Sequence, residues 1–419
     1  MKRKLVVFLA VISVVLLGLG GAAWAQAKGE VRVGSLNDTT GATSDVGKDY
    51  ALGIAEAVAY VNDTGGINGK RIKLFQYDYG YRIPEAITTY KRFRDFDKVV
   101  AVLGWGTGDT EALSPTITKD KIPYVSASYS AHLTDPKKTP YNLFFTSDYS
   151  SNARAAITAW FDHVWKKDPA YKERRDKGEK PRFQCFYMFA SPYASAPIKA
   201  IKDQAAILGF EVGQDQDVSL TALDTKSQVL AAKSFMPDLV WHGNTTMSVA
   251  TALKDAQALG LGAHHIVNNW GFDENLPRLA GAAAEGVMGA AVCAFFGVKT
   301  PLMPKIMEYA KKINPGVPAE KRLIRTVQAW GAVLILADAM RVADKAGELN
   351  GPGIVKALET FRNKELGLGS GLFNLTSTDH RPTSGVPIYR IEKGKFSLVE
   401  IVDLRKRWPE KWDKEWLGW

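Results

Sequence analysis

The sequence predicts an α/β protein of two lobes, each a doubly wound parallel sheet, opening on a shared cleft. Three observations carry that prediction. Short apolar runs alternate with helix-periodic segments along nearly the whole chain, the alternation comes in two series, and small or hydroxyl-bearing residues fill the loops after the apolar runs. A chain of 419 residues is long enough for two domains, each with its own core. Hydrophobic content of 46% and charged content of 23% are ordinary for such a protein.

The first residues stand apart from this pattern. Lys2-Arg3-Lys4 is a positive segment, residues 5–19 are an apolar run, and Ala23-Trp24-Ala25 offers a small-x-small cleavage signal, with Ala25-Gln26-Ala27 as a second. The expectation is a cleaved signal peptide over residues 1–25 and export to a periplasm. No cysteine follows the small residues, so a lipid anchor is not expected. Loss of Lys2, Arg3 and Lys4 takes the formal net charge from +10 to +7. Basic residues are mixed with acids, as in 166–180 (KKDPAYKERRDKGEK), and form no aromatic-laced basic face of the kind nucleic acid requires. Cys185 and Cys293 both fall in apolar, strand-like runs, where two buried thiols or one disulfide would each fit.

The first series opens with a strand at 31–36 and a polar loop at 37–47 (NDTTGATSDVG). Leu52, Ala55, Val58 and Ala59 then recur at helical spacing, and Gly65-Gly66 ends that helix. A turn at 67–70 leads to a strand at 72–77 and a helix at 84–96. The stretch 99–134 organises the rest. A strand at 99–103 runs into Gly104-Trp105-Gly106-Thr107-Gly108, followed by a helix at 109–119, a strand at 122–126 and the hydroxyl-rich loop Ser126-Ala127-Ser128-Tyr129-Ser130. Loops at the carboxyl ends of parallel strands offer backbone N–H groups and helix N-termini to a ligand. Pro115 is expected to push the usable start of the helix further along.

The second series has helices at 151–165, 196–208, 225–234 and 246–259, and strands at 183–189, 210–213, 238–241 and 265–267. Residues 322–346 are apolar nearly all round and predict a well-buried helix. Shorter β segments follow at 369–402. The tail, 405–419, spaces Trp408, Trp412, Trp416 and Trp419 by four, four and three, with Pro409 suited to a helix's first turn. Packing on the protein's own body is the first expectation for this face; a partner contact, a homodimer included, or a contact with a membrane surface is the other.

Taken together, VRVGSLNDTTGATSDVG at 31–47, VNDTGGING at 61–69, Asp78 with Pro84 and Ala86, Ile122-Pro123 with Ser126, Leu133-Thr134, Pro237-Asp238, Leu259-Gly260, Ala280-Gly281 and Glu285-Gly286-Val287 resemble a known family. They are similar to the leucine/isoleucine/valine-binding class of ABC-transporter substrate-binding proteins, which have the type I periplasmic binding fold. The resemblance implies a three-strand hinge, with one lobe at 28–146 plus 299–362, the other at 147–298 plus 363–404, and the tail at 405–419. It also implies hinged closure on a small-molecule solute, delivered to membrane permease subunits.

By the same resemblance, carboxylate-holding groups come from Thr107 with Gly108, which replaces the usual serine, and from Ser128, Tyr129 and Ser130. Tyr193 takes the place of a ligand-covering tyrosine, and Asn244 lies in a polar loop of the opposite lobe. Trp270 stands where an acid usually meets the ligand's ammonium. An unpaired buried ammonium loses about 1–3 kcal/mol or more, and contact with an indole returns only about 0.5–2 kcal/mol. The expected solute is therefore an organic or aromatic acid without an α-ammonium, walled by Trp105, Tyr129, Tyr193 and Trp270. An amino acid whose ammonium meets Asp273 or Glu274 is the alternative, and a ligand-sensing receptor is another use of the same clamp. The sequence contains no G-x-S-x-G, H-E-x-x-H or phosphate-loop motif, and His264-His265 has no acid at metal-ligand spacing. Neither an enzyme nor a cofactor or metal site is expected.

Overall fold

The computed structural model describes residues 29–419; the expected signal peptide lies outside them. In the first lobe, β1 (Glu30–Asn37) is a Val- and Leu-bearing strand buried along most of its length. It has a strand on either side, so both pleated faces need apolar or small residues. A polar loop leads from it into helix α1 (Ser44–Asp63), and Gly65 and Gly66, both at positive φ, turn the chain towards β2 (Arg71–Asp78). Then come β3 (Ala101–Gly104), α2 (Thr107–Asp120), β4 (Tyr124–Ser126) and β5 (Asn142–Leu143). All pairings are parallel, in the order β2-β1-β3-β4-β5. The order reverses beside β1, so the loops after β1 and β3 diverge at the carboxyl edge and leave a crevice.

Helix α2 departs from expectation. It begins two residues earlier than predicted and passes through Pro115 unbroken. Pro115 lies on the exposed side, where water can satisfy the Glu111 carbonyl that the proline leaves without an N–H partner. The helix start therefore remains beside Gly106.

Helix α3 (Tyr149–Trp160) opens the second lobe, whose strands β6 (Arg182–Tyr187), β7 (Glu211–Val212), β8 (Gln216–Asp217), β9 (Leu239–His242), β10 (His264–Val267) and β11 (Met288–Ala290) pair in parallel. Helix α4 (Thr246–Ala258) follows β9. After a small separate ribbon of β12 (Lys364–Glu365) and β13 (Leu372–Phe373), a hairpin of β14 (Gly385–Glu392) and β15 (Lys395–Asp403) joins β11 antiparallel. This sheet is thus parallel at its centre and antiparallel at one edge.

The apolar segment near residue 330 is helix α5 (Ile324–Lys345), buried at every residue from Ile324 to Ala337 and packed along α1. Arg322, just before it, is fixed by Glu56 at 2.7 Å and Asp49 at 3.2 Å on α1. In the tail, helix α6 (Pro409–Lys414) and the residues after it bury Trp412 and Trp416 against the body. The Arg154 guanidinium lies 4.1 Å from the Trp416 ring centre and that of Arg381 3.9 Å from Trp412. Cys185 and Cys293 are both buried free thiols.

Candidate functional site

The site begins at Gly106. A Cβ there would lie 2.1 Å from Asp109 Oδ1 and 2.5 Å from the Tyr79 hydroxyl, so only glycine lets the chain turn this tightly into α2. Thr107 thereby becomes the first residue of the helix, at its positive end. Its hydroxyl accepts a hydrogen bond from Ser128 Oγ at 2.8 Å, which leaves the Thr107 proton free to donate.

Gly106 and Thr107 form one wall of a narrow cavity between the lobes, about 240 Å³ with open solvent included. Thr43 and Val46, at the start of α1, and Ala127, after β4, add to the first lobe's share. Tyr149, Tyr193, Thr245 and Trp270 enclose it from the second lobe, and Trp105 and Tyr81 close the sides. Five aromatic rings and three threonines thus line it. Among the described residues, no charged side chain does.

Trp270 is the most constrained of the rings. It stacks on Tyr129 with centres 5.7 Å apart, meets Trp105 edge-on at 5.0 Å, and donates its indole N–H to the Tyr149 hydroxyl at 3.0 Å. Arg325 of α5 lies 4.9 Å from its ring centre. Asn268 holds the loop, accepting from the Trp270 N–H and from the Tyr193 hydroxyl, both at 2.7 Å. On the other side, the Trp105 indole N–H donates to Thr43 Oγ1 at 2.9 Å. Burial pushes the Tyr149 hydroxyl up to about 12 and that of Tyr193 well above its ordinary value, so both remain protonated donors.

Of the residues predicted from sequence, Trp105, Thr107, Tyr193 and Trp270 meet in this cavity, and Gly108 lies just outside, in a neighbouring one. Ser128 acts on Thr107 from behind, and Tyr129 backs Trp270 instead of lining the space. Ser130 turns away to Glu111 at 3.2 Å. Asn244 is consumed by neighbouring segments, accepting from the Met188 N–H after β6 and donating to the Val218 carbonyl after β8. These last two are displaced because a short polar side chain bonds to the nearest backbone or carboxylate partner that folding brings within reach.

Asp273 and Glu274 also lie elsewhere. Asp273 is fully buried and accepts from Arg325 at 3.0 Å and Thr246 at 2.7 Å. The Glu274 oxygens accept the backbone N–H groups of Phe296 and Ile324 at 2.7 and 2.9 Å. Neither lines the cavity. Thr43, Tyr81, Tyr149 and Thr245 went unpredicted. Thr43 could have been found, because it sits in the polar loop after the first strand, at the order-reversal edge. Thr245 is the next residue after Asn244 in the polar loop already singled out, whereas Tyr81 and Tyr149 had no local signal.

Residues 30–395 match the model of a family described as periplasmic binding protein. The Leu/Ile/Val-binding protein homolog 1 of Brucella suis biovar 1 (strain 1330) is 25% identical over 405 residues, covering 94% of this chain and 98% of the relative. The structure of an ABC-transporter substrate-binding protein from Aeropyrum pernix aligns with a TM-score of 0.79 and 31% identity, over 90% of this chain and 96% of that one. A solute-binding protein of an ABC transporter from R. palustris, solved in complex with benzoate, aligns with a TM-score of 0.72 and 17% identity over 89% and 96% of the two chains. Two hinged parallel-sheet lobes, a cavity at their facing edges and this match along the chain lead to one assignment: the protein belongs to the periplasmic binding protein family, among the ABC-transporter substrate-binding proteins of the branched-chain amino acid type.

Proposed function

We propose that this protein captures a small organic acid lacking an α-ammonium, with an aromatic ring favoured, and delivers it to the permease subunits of an ABC importer. The observation that carries this reading is the cavity lining: hydroxyls and the start of α2 on one side, aromatic rings on the others, and no carboxylate among the described residues. A carboxylate finds N–H and O–H donors there. An α-ammonium finds no counter-charge, at a cost that contact with the Trp270 ring does not offset. Benzoate in the R. palustris relative supports an aromatic acid on this scaffold.

The same reading includes export by the signal peptide and lobe crossings near residues 146, 298 and 362. Native mass spectrometry of freshly purified protein, joined to a thermal-shift panel, tests the solute. Benzoate and related monocarboxylates are expected to raise the melting temperature, and leucine and valine to leave it in place. Stabilisation by leucine or valine with no response to any organic acid would reject the proposal.

A further inference from the structure

The neutral cavity is not alone in the cleft. A second space of about 250 Å³ adjoins it, and neighbouring residues on three loops divide between the two. Thr43 faces the inner space and Ala42 the outer; Thr107 the inner and Gly108 the outer; Tyr193 the inner and Pro192 the outer. Tyr81 lines both. Its backbone has a φ of 59°, a left-handed conformation uncommon for a bulky residue, which sets its ring as the partition.

The chemistry changes across that partition. Asp109, the third residue of α2, lines the outer space and is 2% exposed. Its Oδ1 accepts from the Tyr79 hydroxyl at 2.7 Å, and its Oδ2 is buried with no hydrogen-bond partner among the described residues. Burial pushes this carboxyl up to about 7. Ser191, Ser219 and Thr221 add hydroxyls, Met188 and Leu220 add apolar surface, and no lysine or arginine among the described residues lines the space. It suits a donor or a cation and opposes an anion.

We propose that the two compartments bind one solute end to end, and that Asp109 Oδ2 accepts a hydrogen bond from an ammonium, or another N–H or O–H donor, at the end remote from the carboxylate. The preferred solute is then an organic acid with a distal cationic or donor group. This rests on the inner cavity's being an acid site.

Isothermal titration of the full exported chain with para-ethylbenzoate and para-(aminomethyl)benzoate tests it, since the two differ chiefly in a methyl against an ammonium. Wild type is expected to bind the ammonium compound more tightly by roughly tenfold, the scale of one charge-assisted hydrogen bond. Asp109→Asn is expected to remove most of that preference. Equal or weaker binding of the ammonium compound by wild type, which requires no variant to fold, overturns the assignment, as does an undiminished preference in Asp109→Asn. If para-ethylbenzoate binds and the ammonium adds nothing, Asp109 alone is misassigned. If neither acid binds, the acid reading of the inner cavity falls and takes the outer site with it.

Discussion

Arg325 of α5 and Asp273 of the loop after β10 meet at 3.0 Å with neither side chain exposed, directly behind the indole of Trp270. The pair ties a helix packed on the first lobe to the loop that supplies the second lobe's cavity wall. Arg325 also donates to the Asn269 carbonyl at 2.9 Å, so it braces the loop backbone as well. Arg325→Met removes one charge and leaves Asp273 buried without its partner. The expected cost is about 3–5 kcal/mol of stability, read as a lower urea midpoint.

Thr107→Val keeps the side-chain shape and deletes the hydroxyl at the start of α2. A hydrogen bond to a charged group contributes about 1.5–3 kcal/mol, so affinity for benzoate is expected to fall roughly 10- to 100-fold by calorimetry. Ser128, whose hydroxyl donates to Thr107 at 2.8 Å, loses its acceptor in the same variant. A small loss of thermal stability is therefore expected beside the binding defect. An unchanged affinity would remove Thr107 from the anion site.

Asp45 links the lobes through Oδ2, which accepts the Met247 N–H at the start of α4 at 3.1 Å. Burial pushes its carboxyl up to about 6, the nearby Asp273 adds to the rise, and the Met247 N–H and Arg325 oppose it. A carboxyl raised in the closed form holds its proton there at pH values where an exposed one has lost it. Its contribution to closure is complete below the ordinary carboxylate pKa and is lost as pH rises through about 6. The ligand-free closure equilibrium is expected to be roughly tenfold more favourable at pH 5 than at pH 7.5, measured by small-angle scattering. Asp45→Asn is expected to flatten that dependence.

Trp416 is 3% exposed and stacks on Arg154, so the tail is core, not trim. Trp416→Ala should cost about 3–5 kcal/mol in stability. If the tail instead serves a dimer, the variant will change the mass measured by light scattering more than the melting temperature.

Local sequence was enough for most of the architecture. The alternation of apolar runs with 3.6-periodic segments located the central strands of both sheets, and Gly65-Gly66 marked the end of α1. The long buried helix was equally legible, because a run of this length with apolar residues on every side exceeds any strand and fits a helix enclosed by the core. Sequence also drew attention to Trp105, Thr107, Tyr193 and Trp270, which share one cavity.

What the chain order could not decide was the direction and partnership of side chains on those same loops. Ser128 and Ser130 are two residues apart, yet one donates to Thr107 and the other to Glu111. Asp273 and Glu274 resemble ligand acids until Arg325 and the N–H groups of Phe296 and Ile324 occupy them. Backbone form follows mainly from nearby residues, whereas each polar group's final bond depends on which distant segment folding delivers to it. That difference is why the helices and strands could be read in a line, and why the empty oxygen of Asp109 became visible only in three dimensions.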